Sequence, residues 1–178
     1  MIQVRQRPTP HLTRHAVPRP VRAAVLHVTE GTAASVDSWF ANPASKVSAH
    51  FMVHRDGTLT QYVSVHDLAW HAGRVFNPTW AGVAAGSPNK WTVGIEHEGT
   101  GRDPWPEAQL LTSALLSAWL CRRFKWEPSP ETFPLHREIF ALKTCPGFAF
   151  DRAAYLEHVH AVLRTIGPEV PSLIQGIR

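Results

Sequence analysis

The sequence predicts an α/β fold, a single domain with a central mixed β-sheet flanked by helices, on three observations. Short apolar runs at Ala23–Thr29, His50–Val63 and Trp91–Glu98 have the length and composition of strands. Longer segments at Pro106–Phe124 and Asp151–Ile166 repeat apolar residues at helical spacing. The two kinds of segment interleave along 178 residues, 44% of them hydrophobic, which is enough apolar material for one core.

Residues 1–20 carry Arg5, Arg7, Arg14 and Arg19 among four prolines and no acidic residue, and read as an extended, solvated basic arm. The domain is expected over residues 21–167. Its first strand, Ala23–Thr29, ends at Glu30-Gly31 and places His27 near its end. Ser35 is expected to cap a short helix through Trp39 and Phe40 that stops before Pro43. The Asp56-Gly57 pair between apolar runs predicts a hairpin. Residues 77–90, with Pro78, Gly82, Gly86 and Pro88, read as a loop leading into the Trp91–Glu98 strand. Pro106 suits the first turn of a helix carrying Leu111, Leu115, Ala118 and Trp119, apolar on most sides and so largely buried. Asp151 can cap the last helix, which aligns Tyr155, Val159, Val162, Leu163 and Ile166 and stops at Gly167-Pro168. Residues 168–178 are left as a C-terminal tail.

No run approaches the roughly 18–20 apolar residues of a membrane span, and the start lacks the apolar centre of a signal peptide. Synthesis in the cytoplasm is the expectation. Cys121 lies in an apolar run and Cys145 in a Lys-Thr-Cys-Pro-Gly loop, settings too different for a disulfide framework. The formal charge of +4 favours anionic partners, among which charge alone does not choose. Nucleic acid is disfavoured because no Cys-x2-Cys pair accompanies the His-x3-His spacings at His11/His15 and His50/His54, and the arginines cluster without interleaved aromatics.

Eleven histidines exceed the needs of any one metal site, so position must sort them. His27 on the first strand, with His136 and Cys145 bracketing a loop-like stretch, could supply two imidazoles and a thiolate to zinc. Three protein ligands leave a fourth position for water, whose pKa the metal lowers to about 7. Spacing alone leaves the plainer readings open: a strand histidine is commonly satisfied by a hydrogen bond, and a cysteine is commonly a small buried hydrophobe.

Five blocks occur in order: Val25-Leu-His27, Ser48-Ala-His-Phe-Met-Val-His-Arg-Asp-Gly57, Ala69-Trp-His-Ala-Gly73, Val93-Gly-Ile-Glu-His-Glu-Gly99, and His136 with Lys143-Thr-Cys-Pro-Gly147. Together they resemble the type-2 N-acetylmuramoyl-L-alanine amidases, a family that includes phage amidase lysins, anhydro-muropeptide amidases and peptidoglycan recognition proteins. The resemblance covers most of the chain from Val25 to Asp151 and implies a zinc amidase domain over residues 21–167. It implies zinc ligands at His27, His136 and Cys145, and an oxyanion-stabilising role for Lys143. Where many lysins carry a tyrosine before the histidine of the second block, this chain has Ala49, and the resemblance passes the role of general base or water-orienting group to Glu96.

Glu98 shares a strand face with Glu96 and is expected to support the site from behind, with a purely structural role as the alternative, whereas His97, on the opposite face, is expected to pack. His50 is expected close to the metal and Trp70 and His71 along the substrate groove, none of them as ligands; Trp70 and Trp80 are candidates to pack against glycan or peptide. The expected substrate is peptidoglycan or a muropeptide, cut between N-acetylmuramic acid and L-alanine. The expected role is that of a monomeric endolysin released through a holin. Alternatives are a cytoplasmic anhydro-muropeptide recycling amidase and a non-catalytic peptidoglycan-binding protein, the latter opposed by the retained Cys145.

Overall fold

The computed structural model describes residues 1–178, apart from the side chain of Ala85. The chain opens with the two-residue strands β1 (Ile2–Gln3), β2 (Arg5–Gln6) and β3 (Leu12–Thr13). It continues through β4 (Ala23–Val28), α1 (Ala33–Ala41), β5 (Phe51–Val53), β6 (Leu59–Gln61), β7 (Leu68–Ala69) and β8 (Thr92–His97). The remainder is α2 (Glu107–Phe124), α3 (His136–Ile139), α4 (Arg152–Ile166), α5 (Val170–Leu173) and β9 (Ile174–Gln175). Residues 77–90, expected as loop, include two 3-10 turns, Ala81–Ala85 and Pro88–Lys90. No helix among the described residues is long and apolar enough to cross a membrane.

The main sheet has the order β2-β6-β5-β8-β4 and is mixed: β4, β8 and β5 run parallel, and β5 pairs antiparallel with β6. The β5–β6 connection is the hairpin expected at Asp56-Gly57. Asp56 Oδ1 accepts from the Thr58 N–H at 2.8 Å, and Gly57 adopts a φ of +84°, a conformation glycine enters without a Cβ clash.

Alternation along the central strands gives the sheet two different faces. One presents Ala24, Leu26, Phe51, Val53, Val93 and Ile95 to α2 and α4, where Leu116, Leu120, Tyr155 and Val159 complete the main core. Each large aliphatic side chain buried there contributes about 1.5–3 kcal/mol. The other face carries smaller apolar clusters, Val25 with Ala72 and Ile139, and Met52 with Val36 and Phe40 from α1. The polar groove lies between them.

Helix ends follow local chemistry. Asp151 caps α4 through the Ala154 N–H at 3.1 Å, as expected. The cap of α1 is Thr32 rather than Ser35: its hydroxyl accepts from the Ser35 N–H at 3.2 Å, so the helix begins one turn earlier, with Ala33 and Ala34 in its first turn. Within α2, Leu111 is exposed, while Gln109, Ser113 and Ser117 point inward.

The solvated arm over residues 1–20 is not observed. β2 adds in parallel to β6 at the sheet edge, β1 pairs with β9, and Val4 joins the core. Backbone groups of an extended segment gain partners by pairing with an open edge, and that outweighs the polarity of the sequence. The same pairing orders residues 168–178, the expected tail, as α5 and β9. Gln61 gathers both ends: its Oε1 accepts from Gln6 Nε2 and the Arg178 N–H, and its Nε2 donates to the Arg178 carbonyl.

Candidate functional site

β4 and β8 lie in register with His27 opposite Glu96, so both side chains leave the sheet on one face near the carboxyl ends of parallel strands. Glu96 Oε1 stands 3.9 Å from His27 Nδ1. On its other side β4 is bordered by residues 132–135, for Ala24 and Leu26 donate to the carbonyls of Thr132 and Pro134 at 2.8 and 3.0 Å. This extra edge delivers His136 beside His27, with ring centroids 4.5 Å apart. The Leu135 N–H donates to Glu138 at 2.8 Å, and Arg152 pairs with the same carboxylate, fixing the short α3.

The loop after α3 returns Cys145 to the same place. The Arg137 N–H donates to the Cys145 carbonyl at 3.1 Å, and the Val28 N–H donates to Cys145 Sγ at 3.0 Å. The candidate ligand atoms of His27, His136 and Cys145 all lie within 4.8 Å of one another. Both cysteines are free; Cys121 belongs to the core.

Burial dominates the electrostatics. It holds His27 well below the ordinary histidine value and His136 at about 4, with the Lys143 charge acting in the same direction on both. Neutral imidazole is the form a metal ligand needs. The Cys145 thiol is pushed up by burial and by nearby Glu96. Glu96 is raised to about 7 by burial, with Lys143 opposing the shift, and its Oε2 is buried without a hydrogen-bond partner among the described residues.

These residues line a groove of about 910 Å³, with Lys143 exposed and Trp39, Leu142 and Phe148 presenting large apolar surfaces to solvent. Two imidazoles and one thiol form a donor set suited to zinc, with three ligands where a closed structural site would have four. The residues present therefore fit a catalytic zinc ion, and the orphaned carboxylate oxygen beside them fits a group awaiting a proton.

The other expected site residues divide. Trp70 and His71 line the groove, and Trp70 is braced by Thr13 Oγ1 at 3.1 Å. His71 touches the cluster directly, its Nδ1 lying 3.0 Å from His27 Nε2. His50 stands one ring further back, its centroid 5.7 Å from that of His71. It is fully buried, with its Nε2 2.8 Å from Arg19 Nη2 and its Nδ1 accepting from the Gly94 N–H. It is thus not adjacent to the candidate ligand atoms.

Glu98 corrects the expectation of a supporting role. Its Oε1 accepts from the Ala33 N–H at the start of α1, and its Oε2 accepts from the Arg55 N–H at the hairpin. The strand has ended at His97, and the carboxylate serves two backbone donors instead of the groove. Trp80 is buried and donates to the Glu131 carbonyl at 3.1 Å, which removes it from the candidates for glycan contact. His97 packs as expected, stacked on Trp105 at 3.7 Å.

Sequence reasoning passed over three residues that contact the histidines at and behind the groove: Thr92 Oγ1 lies 3.2 Å from His71 Nε2, Asn89 Oδ1 accepts from the His71 N–H at 3.2 Å, and Arg19 reaches His50. Thr92 could have been found by extending the Glu96–Gly94 alternation two residues back. Asn89 and Arg19 act across long sequence separations and carry no local signal.

A family model described as N-acetylmuramoyl-L-alanine amidase matches residues 17–148. The chain belongs to this family. It is 36% identical over 104 residues to N-acetylmuramoyl-L-alanine amidase A of Achromobacter lyticus, covering 57% of this chain and 51% of that one. It is 33% identical over 115 residues to the 1,6-anhydro-N-acetylmuramyl-L-alanine amidase AmpD of Haemophilus influenzae, covering 64% and 59%. The chain thus spans between half and three fifths of the length of these family relatives. Among solved structures, a selenomethionine derivative of AmpD aligns with a TM-score of 0.72 at 27% identity, covering 89% of this chain and 96% of that one. Amidase LysC from Clostridium intestinale aligns at 0.65 with 16% identity, covering 90% and 99%, a likeness of fold.

Proposed function

We propose that this family member is a zinc-dependent N-acetylmuramoyl-L-alanine amidase that hydrolyses the amide between the lactyl group of muramic acid and L-alanine. One observation carries the reading: His27, His136 and Cys145 converge beside a carboxylate whose Oε2 is buried and unpartnered. Zinc held by these three residues would supply Lewis acidity to the scissile carbonyl and acidify water at its open position. Glu96, with a pKa of about 7, is matched to take a proton from the attacking water and return it to the departing amine. The Lys143 ammonium stabilises the negative charge that develops on the carbonyl oxygen. The products are a lactyl carboxylate and the free amino group of the stem peptide.

Polymeric peptidoglycan is the substrate form we assign, as for a lysin, supported by the broad groove and its exposed apolar rim. The recycling of soluble anhydro-muropeptides is the second reading, favoured by Ala49, by Glu96 and by the AmpD relatives. Zinc content by elemental analysis, paired with amine release by wild type and Cys145→Ala, tests the activity. Near-stoichiometric zinc, and loss of zinc and amine release in the variant, are expected; a wild type with neither would leave a wall-binding module. Clearing of purified sacculi separates the two substrate forms, and activity confined to soluble fragments would overturn the polymer assignment.

A further inference from the structure

Behind His27 a chain of hydrogen bonds runs away from the groove, and its polarity can be read from its far end. The Pro88 carbonyl only accepts, and it lies 2.8 Å from Thr92 Oγ1, so the single threonine proton points there. Thr92 Oγ1 must then accept from His71 Nε2, 3.2 Å away. With its proton on Nε2, neutral His71 offers the lone pair of Nδ1, which accepts from the His27 Nε2–H at 3.0 Å. His27 Nδ1 is left bare, and this is the atom that faces Glu96.

The place of His71 in this chain is built. A Cβ at Gly94 would stand 2.6 Å from His71 Cγ, so the ring lies against a strand backbone that glycine leaves open. Asn89 Oδ1 accepts from the N–H groups of His71 and Ala72 at 3.2 and 2.7 Å, pinning the segment that carries the ring. Thr92, Gly94 and Glu96 alternate along β8, so one strand face supplies the end of the chain, the bed for the ring and the groove carboxylate.

We propose that His71 and Thr92 are positioning residues that fix His27 in the tautomer with Nδ1 free for zinc, an inference resting on the zinc reading above. Partners behind a metal-bound imidazole set its tautomer and orientation, and losing one costs on the order of 10–100-fold in metal affinity. Nitrogen-15 NMR of the histidine rings in the metal-free protein reads the tautomer directly. The expected spectrum has His27 protonated on Nε2 and bare on Nδ1. Thr92→Val should mix His71 tautomers and weaken zinc binding by about tenfold in competition with a chromophoric chelator. Thr92→Ser, which keeps the hydroxyl, should restore both readouts, and unchanged melting temperatures would show that neither variant unfolds. His27 protonated on Nδ1, or Thr92→Val with wild-type tautomers and zinc affinity, would overturn the proposal. A wild type that takes up no zinc but shows the expected tautomer would sink the zinc reading while leaving the relay in place.

Discussion

The two faces of β4 and β8 are made by neighbouring residues and finish differently. On the helix-facing side Leu26 and Ile95 are fully buried, and His97 is buried with both ring nitrogens satisfied. His97 Nδ1 donates to the His27 carbonyl at 2.8 Å, and Nε2 accepts from Ser113 Oγ at 2.7 Å. On the groove side, one residue away, Glu96 keeps an oxygen without a partner, and three candidate ligand atoms crowd together beside it. Buried polar groups occur on both faces, so burial does not distinguish them. The helix-facing side has its own orphan, Gln109 Oε1, but that is one atom of a neutral amide whose Nε2 is satisfied. What distinguishes the groove is an unpartnered carboxylate oxygen beside three converging candidate ligand atoms, and that is where chemistry is to be sought.

The largest expected effect separates the faces most directly. Glu96→Gln removes the proposed proton acceptor and should lower amine release by about 10²–10⁴-fold, with zinc content and melting temperature held or slightly raised. A mild loss of rate would move the base role elsewhere in the groove. On the opposite face, Ile95→Ala should cost about 2–5 kcal/mol of stability, lowering the melting temperature by roughly 5–20 °C. Its folded fraction should turn over nearly as the wild type does, in assays run well below that transition. If Ile95→Ala abolishes turnover at low temperature, the faces are not separable.

Much of this division was legible in the sequence, because period-two alternation reports which side of a strand a residue occupies. Leu26 and His27, and Glu96 and His97, sort correctly by that rule. It failed at Glu98, where the strand stops and the side chain turns to backbone donors of α1 and the hairpin. The convergence of His27, His136 and Cys145 was suggested by the ordered blocks and not by spacing, since the edge formed by residues 132–135 leaves no pattern in the sequence. The arm misled for a related reason: prolines and arginines describe its side chains, while its backbone decides its fate by pairing with β6 and β9. Thr92 and Asn89 are common residue types whose proposed roles arise from contacts with His71, 21 and 18 residues away in the sequence.

Acid should expose the shared weakness of both faces. Burial lowers His27 and His50 well below the ordinary value of 6.5, His71 and His97 to about 3, and His136 to about 4. The unfolded chain therefore takes up protons first, so this stability is full above pH 6.5 and is lost as pH falls toward 3–4. Glu96 has the opposite sign: raised from 4.5 to about 7, its contribution is full below pH 4.5 and lost as pH rises through 7. Half-buried His54 is lowered by burial too, so six groups oppose one, and the metal-free protein should melt at least roughly 5 °C lower at pH 5 than at pH 7. A flat profile would mean that these rings accept protons without disturbing the fold.

The smallest expected effect is the sharpest test of the comparison. Ser113 joins His97 to Tyr155, whose hydroxyl also lies 2.6 Å from Ser117 Oγ, so Ser113→Ala strands one acceptor on His97 while Tyr155 keeps a partner. The cost should be about 1–3 kcal/mol of stability, the range for a buried polar group left unsatisfied. The His27 carbonyl keeps its bond to His97, and the His27 ring, the proposed ligand, keeps its contact with His71 on the other side. Zinc affinity should therefore change less than about twofold, against the tenfold expected for Thr92→Val. Equal losses from the two substitutions would mean that His27 is positioned through its backbone as much as through its ring, and that the two faces act as one device.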